Sequence, residues 1–359
     1  MSSVTMWFEG YWPGLKGEVG GKAASLGEMT GAGLPVPPGF AVTTAGYRAA
    51  HDAADLDATL ARLLHDLDIS DTAQVSAVCG EIRDVIRTMP LPGDVEKQIR
   101  HDYAELCRKC EVDDLPVAVR SSATSEDSPD ASFAGEHDTY LWIRGGDAVV
   151  DAVRRCWASL FTDRATCYRV EMGYEHRSVE MAVVIQKMVR PIAAGVAFTL
   201  NPANGDRSQV AIDAAWGFGE AVVSGEVTPD NFLVDKVLLE VSKREISHKA
   251  HEYRLTDHDS VEKAEVEPER ADTPCLTDPQ LKAIAALAKT AEKHYGCPQD
   301  IEWAVDADLP DGENVILLQA RPETVWSKKP RQSVASSADK NPMASIVSTL
   351  MNPLYTRKD

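Results

Sequence analysis

The stretch VAVRSSATSEDSPDASFAG, Val117 to Gly135, runs as a strand into an arginine and on into a long loop of small, hydroxyl-rich residues. Arg120 brings a planar guanidinium that can clamp phosphate oxygens through two bonds. The hydroxyls of Ser121, Ser122, Thr124 and Ser125, with the backbone N–H groups between them, can add donors to an anion-binding concavity. A solvated Ser/Asp turn has the same composition, so the loop needs partners elsewhere in the chain to become a polyphosphate site.

Upstream, GGKAASLGEM (Gly20 to Met29) opens a helix, and GLPVPPGFAVTT (Gly33 to Thr44) turns into a strand. Lys22 stands at that helix start, where the dipole and the free N–H groups favour an anion. It is not a Walker A lysine, because the first glycine of that motif falls at Lys16 and Ala23 replaces the Ser/Thr. Between about 53 and 113, Leu56, Leu60, Leu63, Leu64, Leu67, Val75, Val78, Ile82, Val85 and Ile86 keep helical spacing, which predicts a small helical insertion. A short strand, Asp138 to Ile143, follows the serine loop. A helix is expected from about Ala148 to Met172, with Val149, Val153, Trp157, Leu160 and Phe161 on one face.

From Glu180 the period changes to that of strands, in MAVVIQKMV, AAGVAFTLNP and QVAIDAAWG. Within VVIQKMV, Ile185 and Met188 are either the apolar walls of an adenine slot or parts of an ordinary core strand. GFGEAV (Gly217 to Val222) lacks the third glycine of a dinucleotide fingerprint and reads as a tight turn or a ligand-contacting loop. Residues 256 to 275 are acidic and poor in large apolar groups, an exposed excursion. Thr277, Pro279 and Gly296 delimit a helix over 278–295. Two strands follow, and their alternation puts Asp300 and Glu302 on one face of the first and Gln319 with Arg321 on one face of the second. Glu302 and Gln319 are hard oxygen ligands suited to Mg²⁺, and Arg321 can neutralise transferring charge. The plain alternative is a surface ion pair between Glu302 and Arg321.

The chain has 359 residues, enough for two or three domains. Its 56 acidic against 37 basic residues give a net charge of −19, which argues against a nucleic-acid or anionic-membrane surface. No apolar run approaches the ~18 residues of a membrane span, and the N-terminus lacks a signal-peptide core, so a cytoplasmic location is expected. Seven cysteines, an odd number at irregular spacing, fit reduced thiols. Cys107 and Cys110 form a single CxxC without a second pair. His137, His248 and His251 have no ligand set or nucleophile partner in the sequence.

Together, GGKAASLGEM, VAVRSSATSEDSPDASFAG, RCWASLFTDRATCYR, VVIQKMV, FTLNP, GFGEAVVSGEVTPDNF and DIEWA with LLQARP resemble the nucleotide-binding part of the phosphoenolpyruvate synthase, pyruvate phosphate dikinase and rifampicin phosphotransferase family, over roughly residues 8 to 326. The resemblance implies an α/β (α+β) ATP-grasp fold with the ATP site between two lobes. These would be residues 1–178, including the helical insertion, and 179–326, followed by a tail or docking segment, 327–359. It further implies that Lys22, Arg120 and Arg321 grip phosphates and act in catalysis. Glu302 and Gln319 would hold Mg²⁺, Gln186, Lys187, Met188 and Val189 would line adenine, and Asp138 and Thr139 would lie near the nucleotide. Family members continue into a domain with a phosphorylatable histidine and a domain for the final acceptor. Neither His248 nor His137 has the Gly-rich setting of that histidine. The expectation is therefore an ATP-dependent subunit that phosphorylates a histidine on a partner chain, as in phenylphosphate synthase, with phenol as a small-molecule final acceptor. A phosphoenolpyruvate synthase-like or rifampicin phosphotransferase-like module, or a nucleotide sensor without chemistry, are the alternatives.

Overall fold

A computed structural model of the protein describes residues 3–10, 14–124, 138–173, 179–256 and 260–326. Ser125, His137 and the tail from residue 327 lie outside the described residues. The chain opens with β1 (Thr5–Trp7), a 3-10 turn, α1 (Lys16–Gly31) and β2 (Gly39–Val42). Four helices follow: α2 (Thr44–Ala53), α3 (Leu56–Leu64), α4 (Thr72–Thr88) and α5 (Gly93–Lys109). The helical spacing over 53–113 thus produces α3 to α5, and Leu56, Leu60, Ile82 and Ile86 enter the core. At the start of α4 the Asp71 carboxylate accepts from the N–H groups of Ala73 and Gln74, which fixes where the helix begins.

Next come β3 (Val117–Ala123), β4 (Thr139–Ile143), α6 (Gly146–Ala158), a 3-10 turn and α7 (Asp163–Met172). The single helix expected over 148–172 is broken, because Thr162 adopts an extended conformation and its hydroxyl accepts from the Ala165 N–H as a fresh N-cap. The second half contains β5 (Met181–Lys187), β6 (Pro191–Phe198), β7 (Gln209–Trp216), α8 (Glu220–Val223), β8 (Asp230–Asp235) and β9 (Val241–Glu245). It continues through β10 (His251–Leu255), β11 (Val261–Glu265), α9 (Pro268–Ala271), α10 (Asp278–Tyr295), β12 (Gln299–Asp306) and β13 (Val315–Pro322).

One sheet has the order β1-β2-β5-β3-β4 and the other β13-β12-β6-β7-β8-β9, all pairs antiparallel. Strand β5 lies after residue 178, where a boundary between lobes was expected. It is nevertheless the centre of the first sheet, because its run Met181–Ile185 is buried on both faces. The helices α2 to α6 cover one face of that sheet, with Phe40, Val117, Val119, Val183 and Trp157 in their core. Helix α1 lies on the other face and shares a second core with the second sheet and α10, where Leu26, Val184, Ile284, Trp303 and Leu317 meet. Burying each such side chain contributes about 1.5–3 kcal/mol.

The described part of the acidic excursion contains β11 and α9. The strands β10 and β11 pair as a hairpin, and a salt bridge ties it down: Arg270 grips both oxygens of Glu252 at 3.2 Å and stacks over Trp216. Gly217 is required here, since its φ is +70° and a Cβ would sit 2.1 Å from the Tyr253 carbonyl oxygen. A separate unit starts at Glu323. In its described part the Glu323 carboxylate accepts from the N–H groups of Val325 and Trp326.

Candidate functional site

Alternation along β3 decides what Arg120 faces. Val117 and Val119 point into the helix-covered core, so Ala118 and Arg120 point to the opposite side. Of the described hydroxyls that follow, those of Ser122 and Thr124 bond within the fold. Ser122 Oγ donates to the Val19 carbonyl and accepts from the Ala23 N–H, Thr124 Oγ1 donates to the Glu180 carbonyl, and Ser121 is fully buried. Ser122 and Thr124 therefore anchor β3 to α1 and to the residue preceding β5, and among the described groups of this stretch the Arg120 guanidinium borders the site.

Gly20 interrupts α1 with φ 75° and ψ 171°, a region nearly closed to other residues. A Cβ there would meet the Ser122 carbonyl oxygen at 2.1 Å. The kink lets β3 approach closely and restarts the helix at Gly21, so Lys22 occupies a helix N-terminus, where positive potential gathers. Its Nζ donates to the Ser121 carbonyl at 2.7 Å.

The third contribution comes from β12 and β13. Asp300 pairs with Arg321 and Glu302 with Gln319, but Trp303 pairs with Leu317, so Leu318 is an extra residue in a β-bulge. Leu317 and Ala320 enter the core, while Leu318 and Gln319 both face away from it. Without the bulge, alternation from Leu317 would turn Gln319 inward. With it, Gln319 Oε1 accepts from Arg120 Nη2 at 3.0 Å, and Glu302 Oε2 lies 3.7 Å from the same nitrogen. Two oxygens from the second sheet thus converge on one cation from the first, a donor pair that fits a hard metal ion. Arg321 bonds Asp300, its direct cross-strand partner, at 2.9 Å and is well exposed, whereas the plain alternative had paired it with Glu302.

These groups line one cavity of about 790 Å³ between the two sheets. Lys22, Arg120, Thr139, Gln186, Lys187, Met188, Val189, Glu302, Gln319 and Arg321 all border it. Asp138 does not: its carboxylate accepts from the Tyr140 hydroxyl at 2.6 Å, and burial, then Asp138 itself, pushes that phenol well up, so it stays a donor. Ile185 is likewise turned away, into the core under the helices, because it alternates with Gln186. Gln186 is buried and donates to the Pro37 carbonyl at 3.1 Å.

Sequence reasoning left the GFGEAV turn open, and it borders the cavity through Phe218, Gly219 and Glu220. Phe218 meets Trp142 edge-on, with centroids 6.4 Å apart and planes at 89°. With Ala118 and Met188 they form an apolar cluster, of which Ala118, Met188 and Phe218 border the cavity. Trp142 has φ +58°, an uncommon conformation for an aromatic residue and invisible in the sequence. Ser25, Glu28 and Tyr295 also border the cavity; their helical spacing from Lys22 and the end of α10 were the only signals available. Among the described residues no group of three or more His, Cys, Asp or Glu is arranged to hold a metal, and no histidine borders the cavity. Burial pushes the Cys156 thiol, beneath β3, far up, so it is no nucleophile.

The family model described as "Pyruvate phosphate dikinase, AMP/ATP-binding domain" matches residues 16–341. The chain belongs to this family. Its fold is accordingly ATP-grasp-like, as the resemblance implied, and the cavity lies in a dikinase-type ATP-binding domain. The pyruvate phosphate dikinase ATP-binding region here is 44% identical to the probable phosphoenolpyruvate synthase of Staphylothermus marinus, over 89% of this chain and 41% of that protein. It is 43% identical to the probable phosphoenolpyruvate synthase of Methanothermobacter thermautotrophicus, over 90% of this chain and 46% of that protein. To the phosphoenolpyruvate synthase of Aeropyrum pernix it is 39% identical, over 92% and 44%. The chain spans less than half the length of these relatives. No helix among the described residues is long and apolar enough to cross a membrane.

Proposed function

We propose that the two sheets act as the two lobes of a dikinase ATP site, which binds Mg·ATP and passes its two outer phosphates to a histidine borne outside this cavity. The observation that carries this is the convergence of Arg120 with Glu302 and Gln319, from opposite sheets, in a cavity that Lys22 and Arg321 also border. In this reading the base lies against Met188, Val189 and Phe218, and the triphosphate extends towards Lys22, Arg120 and Arg321. Glu302 and Gln319 hold Mg²⁺, which neutralises phosphate charge when bound. The chain supplies alignment and positive charge, and no side chain needs to become a nucleophile.

An imidazole nitrogen attacks the β-phosphorus, the bond from the α-phosphate bridging oxygen to that phosphorus breaks, and AMP leaves. The imidazole N–H proton passes to solvent. Water then cleaves the β–γ link, giving phosphate and a phosphohistidine. In this reading the histidine is delivered by a partner subunit or a further domain. The relatives' names favour phosphoenolpyruvate synthase-like chemistry, with pyruvate as final acceptor; phenol, from the likeness to a separately encoded ATP subunit, is the second reading. Calorimetric titration with Mg·ATP should give saturable binding. Incubation with the histidine-bearing chain co-purified from the native host and β-labelled ATP should give AMP and labelled histidine. Formation of ADP without AMP would refute the two-phosphate transfer, and binding without label transfer would favour a nucleotide sensor.

A further inference from the structure

Helix α1 touches both sheets at the edge of the cavity. Towards the first sheet it is fastened by Ser122, whose hydroxyl bridges the Val19 carbonyl and the Ala23 N–H across the Gly20 kink. Towards the second sheet, a side-chain hydrogen bond adds to the shared apolar core. Ser25 Oγ donates to the Ala320 carbonyl at 2.9 Å, and the Tyr295 hydroxyl lies 3.4 Å from the same oxygen. Strand β13 is the edge of its sheet, so its outward backbone groups have no strand partner; Ser25 takes one of them, and the Pro35 carbonyl accepts from the Leu317 N–H.

Ser25 is three residues after Lys22 and therefore on the same helical face, and both border the cavity. Ala320 stands between Gln319 and Arg321. The bond thus joins the turn that carries the lysine to the strand segment that carries the amide oxygen and the second arginine. From this geometry we infer that Ser25, held by Tyr295, is a positioning residue that fixes Lys22 relative to Gln319 and Arg321, and so sets the spacing of the cations that grip the triphosphate. Ser25 does this through the backbone and touches no reacting atom. The inference rests on the nucleotide reading given above.

The apolar wall at Met188 and Phe218 lies on other elements and is untouched by the change. Loss of the Ser25 hydroxyl should therefore weaken binding of the phosphates and spare the base. The test is calorimetric affinity for Mg·ATP and for adenosine in the wild-type chain, Ser25→Ala, Ser25→Thr and Tyr295→Phe, with the ligand-free melting temperature of each. Ser25→Ala should weaken Mg·ATP by about five- to tenfold and leave adenosine within about twofold. Ser25→Thr, which keeps the hydroxyl, should restore Mg·ATP binding, and Tyr295→Phe should lose a smaller part of it. Parallel weakening of both ligands, unchanged Mg·ATP affinity in Ser25→Ala, or no rescue by threonine would each overturn the inference. Should Ser25→Ala not fold, Tyr295→Phe decides by the same selective loss. A wild-type chain that binds neither ligand would instead sink the nucleotide reading, and this inference with it.

Discussion

Replacing Arg120 by lysine keeps the charge and removes the fork. In the ligand-free protein Arg120 is largely buried, 15% exposed, and one of its nitrogens serves Gln319 at 3.0 Å and faces Glu302 at 3.7 Å. Lysine presents a point charge with three rotatable donors, so it can satisfy either those oxygens or a phosphate, but not a phosphate through two parallel bonds. The loss is one charge-assisted hydrogen bond, about 1.5–3 kcal/mol. That corresponds to roughly 10- to 150-fold weaker Mg·ATP binding. Folding should respond less than binding, because lysine keeps a positive charge opposite Glu302, which lies 3.7 Å from the Arg120 guanidinium. Calorimetric titration measures the first quantity and urea denaturation without nucleotide the second. An affinity within about threefold of wild type, or a stability loss as large as the binding loss, would refute the assignment of Arg120 to the phosphates.

Glu302→Ala should abolish the dependence of nucleotide binding on Mg²⁺ and change the urea midpoint little, since Glu302 is 25% exposed and pairs only at distance; an unaltered Mg²⁺ titration would remove it from the metal site. Asp213, on β7, accepts from Asn231 Nδ2 at 2.7 Å, and burial raises its folded pKa above the unfolded value of 3.8. The native state then holds its proton longer than the unfolded chain, so this group's contribution is fully present below pH 3.8 and is lost as pH rises through the folded value. Asp213→Asn should therefore raise the melting temperature more at pH 7 than at pH 4, and equal gains would contradict the sign. The Lys249–Asp230 pair is fully buried at 2.6 Å, with Asp230 also accepting from the Ser247 and Cys275 N–H groups. Lys249→Met leaves that carboxylate buried without its cation, an expected loss of about 3–5 kcal/mol by urea denaturation, and a loss below about 1 kcal/mol would count against it.

Signals confined to a few adjacent residues were legible in the sequence. Thr277, Pro279 and Gly296 bracket α10 as expected, because capping chemistry is local. The alternation in β12 that sets Ile301 and Trp303 against Asp300 and Glu302 also holds. What escaped depends on partners distant in the chain. Nothing in VILLQARP marks Leu318 as the extra residue of a bulge, since the bulge exists only against Glu302 and Trp303. The roles of the Ser122 and Thr124 hydroxyls were misread for the same reason: their partners, Val19 and Glu180, belong to α1 and to the residue preceding β5. Residues 256 to 275 read as an exposed excursion, and their few apolar residues gave no sign that β11 within them pairs with β10 as a hairpin. It is held instead by Arg270, Glu252 and the close approach of Gly217.

The most direct test of the account is a crystal of the chain with Mn²⁺ and a non-hydrolysable ATP analogue, with the metal located by anomalous scattering. The account predicts one metal peak at Glu302 and Gln319, with the triphosphate between Lys22, Arg120 and Arg321 and the base against Met188 and Phe218. Metal on other carboxylates, or nucleotide outside the cavity between the sheets, would contradict it.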